Sequence, residues 1–306
     1  MTLLSAPVSP LERYKSIWES ALVLSGYSDL TRSAIQELSV YFPSLDKSTI
    51  TTRFDQSEEL FAHHWYQQNP NPSSEEDLIR FYNETELEIL ELMHYHSVKW
   101  DQGPQNYVCA LLVAQQLNAR TYMDYGSGVG SGGLLFTQAG FQATLCDIST
   151  PLLKFARWRF AQRGLEAKFT DLKESTPTGQ VDIITCFEVL EHVRDPLALL
   201  RKLHRYLNAG GLLIVTAPFW KDEERPMHIV HDIRLTQRFR AQGYQIRRDL
   251  KAQFSSFVHE PFFILQKVQR PRLLNALVGI YDCHLPEPIR VVIYRTLKIL
   301  APRLLC

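Results

Sequence analysis

Two stretches of this 306-residue chain hold residues whose types and spacing could do chemistry. In Tyr122-Met123-Asp124-Tyr125-Gly126-Ser127-Gly128-Val129-Gly130-Ser131-Gly132-Gly133, five of the fourteen glycines fall within twelve positions. An apolar run broken by an acid, then alternate glycines, predicts a strand ending in a tight turn that opens a helix. Glycine suits such a turn because it takes backbone angles closed to other residues and lets a ligand approach the main chain. The second stretch is Glu188-Val189-Leu190-Glu191-His192-Val193. Positions 188, 191 and 192 are spaced so that one helical turn would put all three side chains on one face. Downstream, Pro226-Met227-His228-Ile229-Val230-His231 adds two imidazoles. Imidazole titrates near neutral pH, so His192, His228 and His231 are candidate general bases, with Glu188 beside them as a candidate catalytic acid group.

Two kinds of ligand compete for the glycine loop. Gly128-Val129-Gly130-Ser131-Gly132-Gly133 contains the GxGxxG of dinucleotide folds, and Asp147 lies near the right distance to hold ribose hydroxyls. Asp124, at the carboxyl end of the first strand, would repel a pyrophosphate but suits an ammonium or sulfonium group.

The elements that must position these residues alternate. Strand 120–125 leads to a helix ending near Ala139, then a strand at 143–147. A helix runs from Thr150-Pro151 to Gly164, followed by strands at 166–170 and Val181–Phe187. Asp195-Pro196 caps a helix with Leu197, Leu200, Leu203 and Leu207 on one face, stopped by Gly210-Gly211, and strand 212–216 follows. A helix over about 233–243 and strands at 244–250 and 261–268 close the region. Regular alternation with short links predicts a parallel sheet covered on both faces.

The first hundred residues read differently. Ser9-Pro10-Leu11-Glu12 is a capping box opening a helix to Gly26, and a second helix spans about Asp29 to Phe42. Residues 44–72 are mixed. Ser73-Ser74-Glu75-Glu76 caps one long helix to about His96, and another helix covers 105–118. The expected organisation is a helical accessory or lid region over 1–100, an α/β domain over 101–269 and a helical extension over 270–306. The extension interleaves Leu273, Leu277, Ile280, Val291 and Leu297 with basic residues. It suits docking on the domain or contact with a membrane surface.

Composition narrows the class. The chain is 45% hydrophobic and 22% charged with zero net charge, ordinary for a globular enzyme, and no basic block marks a nucleic-acid binder. The five cysteines have no CxxC spacing, and Cys109, Cys146 and Cys186 sit in apolar runs as small hydrophobes. The first residues lack the basic start and apolar core of a signal peptide, and no apolar run reaches the ~18 residues of a membrane span. A cytoplasmic protein is expected, peripheral at a membrane if the tail binds one. No oligomeric state is specified.

In order, Asp124–Gly130, Cys146-Asp147-Ile148-Ser149, Thr170-Asp171-Leu172, Val181–Val193 and Leu207–Pro218 resemble the class I S-adenosylmethionine-dependent methyltransferases over about residues 105–268. The resemblance implies a Rossmann-like α/β fold with a seven-stranded sheet whose last strand is antiparallel. It implies S-adenosyl-L-methionine as cofactor, with Gly126, Ser127, Gly128 and Gly130 as the cradle of the methionine part and Asp124 organising that loop. Asp147 would accept both ribose hydroxyls, and Ile148 would pack on the adenine. Asp171 would take the adenine amino group, with the Leu172 amide beside it, and Phe187 would also contact the cofactor.

The Glu188–Val193 run is similar to that of the ubiquinone-biosynthesis O-methyltransferases. The same E-x-x-E-H pattern occurs in small-RNA 3′-end 2′-O-methyltransferases, where with a downstream histidine it holds a divalent metal. That parallel implies a set of Glu188, Glu191, His192 and His231 or His228, suited to magnesium, manganese, iron or zinc. Metal-free relatives use the same run for loop hydrogen bonds and packing. His63, His64, His94 and His96 are expected as exposed or core residues, lining the acceptor pocket only if the helical region is a lid. The expected activity is O-methylation of a small organic acceptor. The alternatives are a metal-assisted RNA 2′-O-methyltransferase, a catalytically silent cofactor-binding partner subunit and, more distantly, a nicotinamide dehydrogenase.

Overall fold

The computed structural model describes residues 9–72, 74–219, 225–231 and 238–269, with two further positions, 289 and 293. Helix α1 (Pro10–Leu22) opens with the reciprocal capping box of Ser9 and Glu12 and ends four residues short of Gly26. Helix α2 (Leu30–Tyr41) is capped by Asp29, whose carboxylate accepts the Arg32 amide. The stretch read as mixed is two helices, α3 (Lys47–Asp55), capped by Asp46, and α4 (Ser57–Gln68), closed by left-handed Asn69.

The long helix expected from Ser74 to His96 is broken into α5 (Glu75–Glu84) and α6 (Leu87–Val98). Thr85 between them is extended, and its hydroxyl accepts the Leu87 amide at 3.1 Å, so the side chain competes with helix continuation. The break lays the end of α5 across the loop after the second strand. Helix α7 (Pro104–Gln116) is buried on nearly every side, as a central core helix must be.

From β1 (Thr121–Tyr125) the alternation holds through α8 (Ser131–Gln138), β2 (Gln142–Asp147), α9 (Thr150–Gln162), β3 (Lys168–Asp171), β4 (Val181–Cys186), α10 (Pro196–Tyr206) and β5 (Leu207–Thr216). Helix α10 stops at Tyr206, and Gly210-Gly211 lie within β5. Of the late strand over 244–250 only β6 (Tyr244–Ile246) is extended; a short helix, α11 (Arg248–Ala252), follows, then β7 (Phe262–Lys267). Of the expected helix over 233–243, residues 233–237 lie outside the described residues, and at its end Arg240–Gln242 form a 3₁₀ turn closed by left-handed Gly243.

The seven strands lie in the order β3-β2-β1-β4-β5-β7-β6, with β1 to β5 parallel and β7 antiparallel to both its neighbours. The order reverses at β1, whose partners are β2 and β4, so the crevice beyond the carboxyl ends of β1 and β4 is where such a sheet binds ligands. One face is covered by α1, α7 and α8, where Trp18, Val108, Leu134 and Phe136 meet Tyr122, Ile183 and Ile214. On the other face Leu199, Leu200 and Leu203 of α10 meet Met123, Ile184 and Val215. The N-terminal helices join this body through Leu38, Phe54, Ile89 and Met93, packed on Leu152 and Phe155 of α9. Cys109, Cys146 and Cys186 are buried free thiols. Among the described residues no helix is long and apolar enough to cross a membrane; the 270–306 extension lies outside them apart from positions 289 and 293.

Candidate active site

The glycine turn leaves β1 in left-handed backbone. Gly126 has φ +78° and a side-chain carbon there would come within 2.2 Å of Val189, so the loop after β4 rests directly on it. Gly128, at φ +51°, is covered in the same way by Leu92 of α6. Asp147, at the end of β2, accepts the Gly128 amide on one carboxylate oxygen (2.8 Å) and the Ser149 amide on the other (2.9 Å). Both oxygens keep a lone pair for a ligand. Burial raises the Asp147 pKa against the pull of those amides.

Beyond this loop a cavity of about 690 Å³ runs from Asp147 and Ile148, past Gly126, Ser127 and Phe187, to a chamber under α4–α6. Of the residues expected at the cofactor, Gly126, Ser127, Gly128, Asp147, Ile148 and Phe187 line this cavity. Asp124, Gly130, Asp171 and Leu172 do not. Asp124 is fully buried beneath the start of α8; it accepts the Thr185 hydroxyl at 2.9 Å, and burial pushes its pKa up to about 7. It lies in the layer that supports the loop, outside the cavity lining. Gly130 packs on Ala156 in the same supporting layer.

Asp171 instead accepts the Thr150 hydroxyl (2.7 Å) and the Lys173 amide (3.1 Å), and the Leu172 amide is spent on the Asp147 carbonyl (2.9 Å). Asn83, from the end of α5, stands beside them. Its amide donates to the Ile148 carbonyl (3.0 Å) and its oxygen accepts from Thr150 (3.0 Å) and Lys173 (2.5 Å).

The Glu188–Val193 run is not one helical face. Glu188 takes a left-handed φ of +52°, and only Leu190–His192 form a turn, of 3₁₀ type. The Glu188 carboxylate therefore turns toward Thr216, whose hydroxyl donates at 2.9 Å, and toward Arg225 at 3.5 Å. Glu191 is fully buried, and among the described residues neither of its oxygens accepts a hydrogen bond. Burial and then the neighbouring Glu188 hold its pKa well above the carboxylate range. The Ile229 amide donates to the Glu191 carbonyl at 2.7 Å, which seats the 225–231 segment on this turn.

That segment brings His228, rather than His231, to His192, with perpendicular rings 4.9 Å apart; His231 packs on Phe219 instead. Ligand atoms of Glu191, His192 and His228 lie within 4.8 Å of one another. The four-residue set of Glu188, Glu191, His192 and His231 thus assembles only in part, with His228 completing a carboxylate and two imidazoles. The tyrosyl oxygen of Tyr82 is 3.0 Å from Nδ1 of His192. Burial, then His228 and Arg225, depress the His192 pKa to about 3.

Several cavity residues have no sequence motif. Glu88 and Glu91 on α6 face inward, and burial raises both, Glu91 to about 7 and Glu88 well above its usual range, with Asp147 adding to the latter. Their only signal is a pair of acids among the apolar positions of a helix. Tyr82 belongs to an aromatic-rich helical stretch, while Tyr95, Lys99 and Arg225 carry no such signal.

The family described as "Methyltransferase domain" matches residues 105–257, half of the chain. The chain belongs to this methyltransferase family. S-adenosylmethionine is its methyl donor, and the residues present suit it: Asp147 has free lone pairs for two hydroxyls, Gly126, Ser127 and Gly128 line the cavity, and the buried Ser127 hydroxyl has no hydrogen-bond partner among the described residues. The dinucleotide reading of the glycine loop is thereby set aside. Ubiquinone biosynthesis O-methyltransferase of Xanthomonas campestris pv. campestris (strain B100) is 32% identical over 162 residues, 48% of this chain and 65% of that protein. The enzyme of the same name from Pseudomonas paraeruginosa is 31% identical over 105 residues, 33% of this chain and 45% of its own length. The chain thus spans less than two thirds of these curated relatives. Among solved structures, magnesium protoporphyrin IX methyltransferase from Synechocystis PCC 6803 with bound SAM aligns over 74% of this chain and 98% of that one, with 20% identity and a TM-score of 0.43.

Proposed function

We propose that this methyltransferase O-methylates a small organic acceptor held in the chamber between the glycine turn and α4–α6. The observation that carries the reading is the single cavity joining the donor cradle to that chamber. It is walled by Phe61, Tyr82, Tyr95 and Met227 and has the imidazoles of His192 and His228 on its lining. At about 690 Å³ for donor and acceptor together, the space suits a small, partly apolar acceptor. S-adenosylmethionine supplies an electrophilic methyl on a sulfonium, taken by direct displacement.

A hydroxyl acceptor must lose its proton, whereas a neutral amine needs only positioning. His192 serves the first need if its Nδ1–H is donated to the Tyr82 oxygen, which leaves Nε2 as the proton acceptor beside His228. Phe187 and Val189 wall the region where the two substrates meet. The likeness to ubiquinone biosynthesis O-methyltransferases supports oxygen as the accepting atom.

The test is mass-spectrometric detection of methyl transfer across a panel of phenols, alcohols, amines and carboxylic acids. Methyl ethers are expected. Transfer confined to amines would refute the hydroxyl assignment, and no transfer to any class would favour a silent partner subunit. Binding of labelled RNA that weakens with salt would favour an RNA substrate.

A second reading rests on the convergence of Glu191, His192 and His228. Those three would hold a divalent cation, which lowers the pKa of a bound hydroxyl and so supplies the same deprotonation.

A further inference from the structure

Beneath the glycine turn lies a buried polar chain that no motif announces. Arg159 of α9 is 1% exposed and donates from Nη1 to the Val129 carbonyl (2.9 Å) and to the Ser131 hydroxyl oxygen (2.9 Å). Its Nε and Nη2 each meet a carboxylate oxygen of Glu37 on α2 at 3.2 Å, and Arg163 closes on the same carboxylate. Two guanidinium groups against one carboxylate leave the cluster with one net positive charge. The Ser131 oxygen receives the arginine proton, so its own hydrogen must go elsewhere. The acceptor in reach is Nδ1 of His96, at 2.9 Å. When the Ser131 hydroxyl donates to Nδ1, His96 carries its proton on Nε2.

Burial keeps that ring neutral, with its pKa pushed down to about 3. Nε2 has no hydrogen-bond partner among the described residues, and His96 lines the cavity beside Ser127 and Tyr107. The rings of His96, Tyr107 and Phe187 follow one another at 6.2 and 4.8 Å. A donor whose ribose is held at Asp147 has its amino-acid tail at the other end of the glycine turn, where these three residues stand. The neighbouring Asn106 is held by the main chain of His259, whose amide donates to its oxygen (2.9 Å) and whose carbonyl accepts from its NH₂ (3.4 Å).

We propose that His96 binds the carboxylate of the donor's amino-acid tail through a neutral Nε2–H, held in that tautomer by Ser131, Arg159 and Glu37. The net positive cluster behind Ser131 favours an anion at that position, and the Ser127 hydroxyl is a second donor for it. Helices α2 and α6 then form part of the donor site, with Glu37 as a positioning residue acting through Arg159. The inference rests on S-adenosylmethionine as the donor.

Calorimetry with S-adenosylhomocysteine, which has the tail, and 5′-methylthioadenosine, which lacks it, provides the test. For His96→Leu, affinity for the first should fall about 10- to 100-fold, while affinity for the second stays within about twofold. His96→Gln, which restores an N–H donor, should recover most of the loss. Unchanged affinity for S-adenosylhomocysteine in a folded His96→Leu, or equal losses for both ligands, would overturn the proposal. An independent readout on the wild type uses ¹⁵N-histidine NMR. The His96 Nε2–H resonance should move downfield with S-adenosylhomocysteine and not with 5′-methylthioadenosine. An Nδ1–H tautomer, or the same shift with both ligands, would refute the assignment. A wild type that binds neither ligand would instead count against the donor itself.

Discussion

Asp147 and Asp171 both sit at strand ends where a nucleoside could be read, yet their surroundings predict opposite outcomes on substitution. In Asp147→Asn one of the two backbone amides at 2.8 and 2.9 Å would face an NH₂ group instead of an oxygen. The ribose would also lose a charged acceptor. A hydrogen bond to a charged group contributes about 1.5–3 kcal/mol, and an unsatisfied buried donor costs about 1–3 kcal/mol. The first term, about 1.5–3 kcal/mol, weakens S-adenosylhomocysteine binding roughly 10- to 150-fold, while the second is present with and without ligand and lowers fold stability instead. Asp171→Asn should change affinity by less than about threefold, because Thr150 and Lys173 already occupy its carboxylate outside the cavity. Calorimetry on both variants, with melting temperatures as the control for folding, measures the contrast. Equal losses in the two variants, or none in Asp147→Asn, would refute the placement of the ribose at Asp147 and of Asp171 outside the site.

Three further outcomes follow from the geometry. Asp124, raised by burial to about 7, stabilises the fold most below its unfolded pKa; that contribution is lost as pH rises from about 4 to about 7 and is constant above. Asp124→Asn should flatten this part of the profile by up to about 4 kcal/mol between acid and alkaline pH, measured by urea unfolding, and a profile parallel to wild type would contradict the buried charge. Tyr82→Phe, which removes the hydroxyl 3.0 Å from His192, should lower kcat about tenfold while leaving S-adenosylhomocysteine affinity unchanged; an effect on affinity alone would move Tyr82 from the proton path to the donor site. If the second reading of the site holds, protein purified without chelator carries a divalent metal that Glu191→Gln and His228→Ala lose and Glu188→Gln keeps. Elemental analysis decides, and a metal-free wild type ends that reading.

The parts of the fold legible in the sequence are those where local chemistry and burial agree. Ser9 with Glu12, Asp29, Ser74, Ser149 and Asp195 each cap the helix that follows, and the apolar strands around Tyr122, Leu145, Ile183 and Ile214 can only lie in a covered sheet. The structure departs from the periodic pattern where one residue's backbone overrides it. Thr85 breaks a run whose apolar spacing passes through it unchanged, and the break delivers Tyr82 and Asn83 to the site. Glu188 in left-handed backbone dissolves the helical face that its spacing to Glu191 and His192 suggested. The left-handed φ of Glu188 is not encoded by residue type, because a glutamate rarely takes it and does so here under tertiary packing, whereas a threonine permits the break at 85 without dictating it.

The donor half and the acceptor half of the cavity differ in legibility for a physical reason. The donor cradle is made mostly of main chain, and main chain imposes itself on sequence: only glycine tolerates the contact of Gly126 with Val189, and the ribose needs an acid at a strand end. The acceptor chamber is made of side chains from α4, α5, α6 and the 225–231 segment, where a tyrosine, an acid or an arginine fills a site position or a surface position equally well. Which it does depends on helix packing, as His94 and His96 show. Two residues apart on one helix, the first rests against Phe54 in the helical core, while the second is drawn into the Ser131–Arg159–Glu37 chain under the glycine turn. The buried charge of Arg159 is what separates them. A guanidinium enclosed beneath a loop needs acceptors for its protons, and the four bonds of Arg159 to Glu37, Val129 and Ser131, with His96 on Ser131, tie α2, α6 and α9 to the loop after β1.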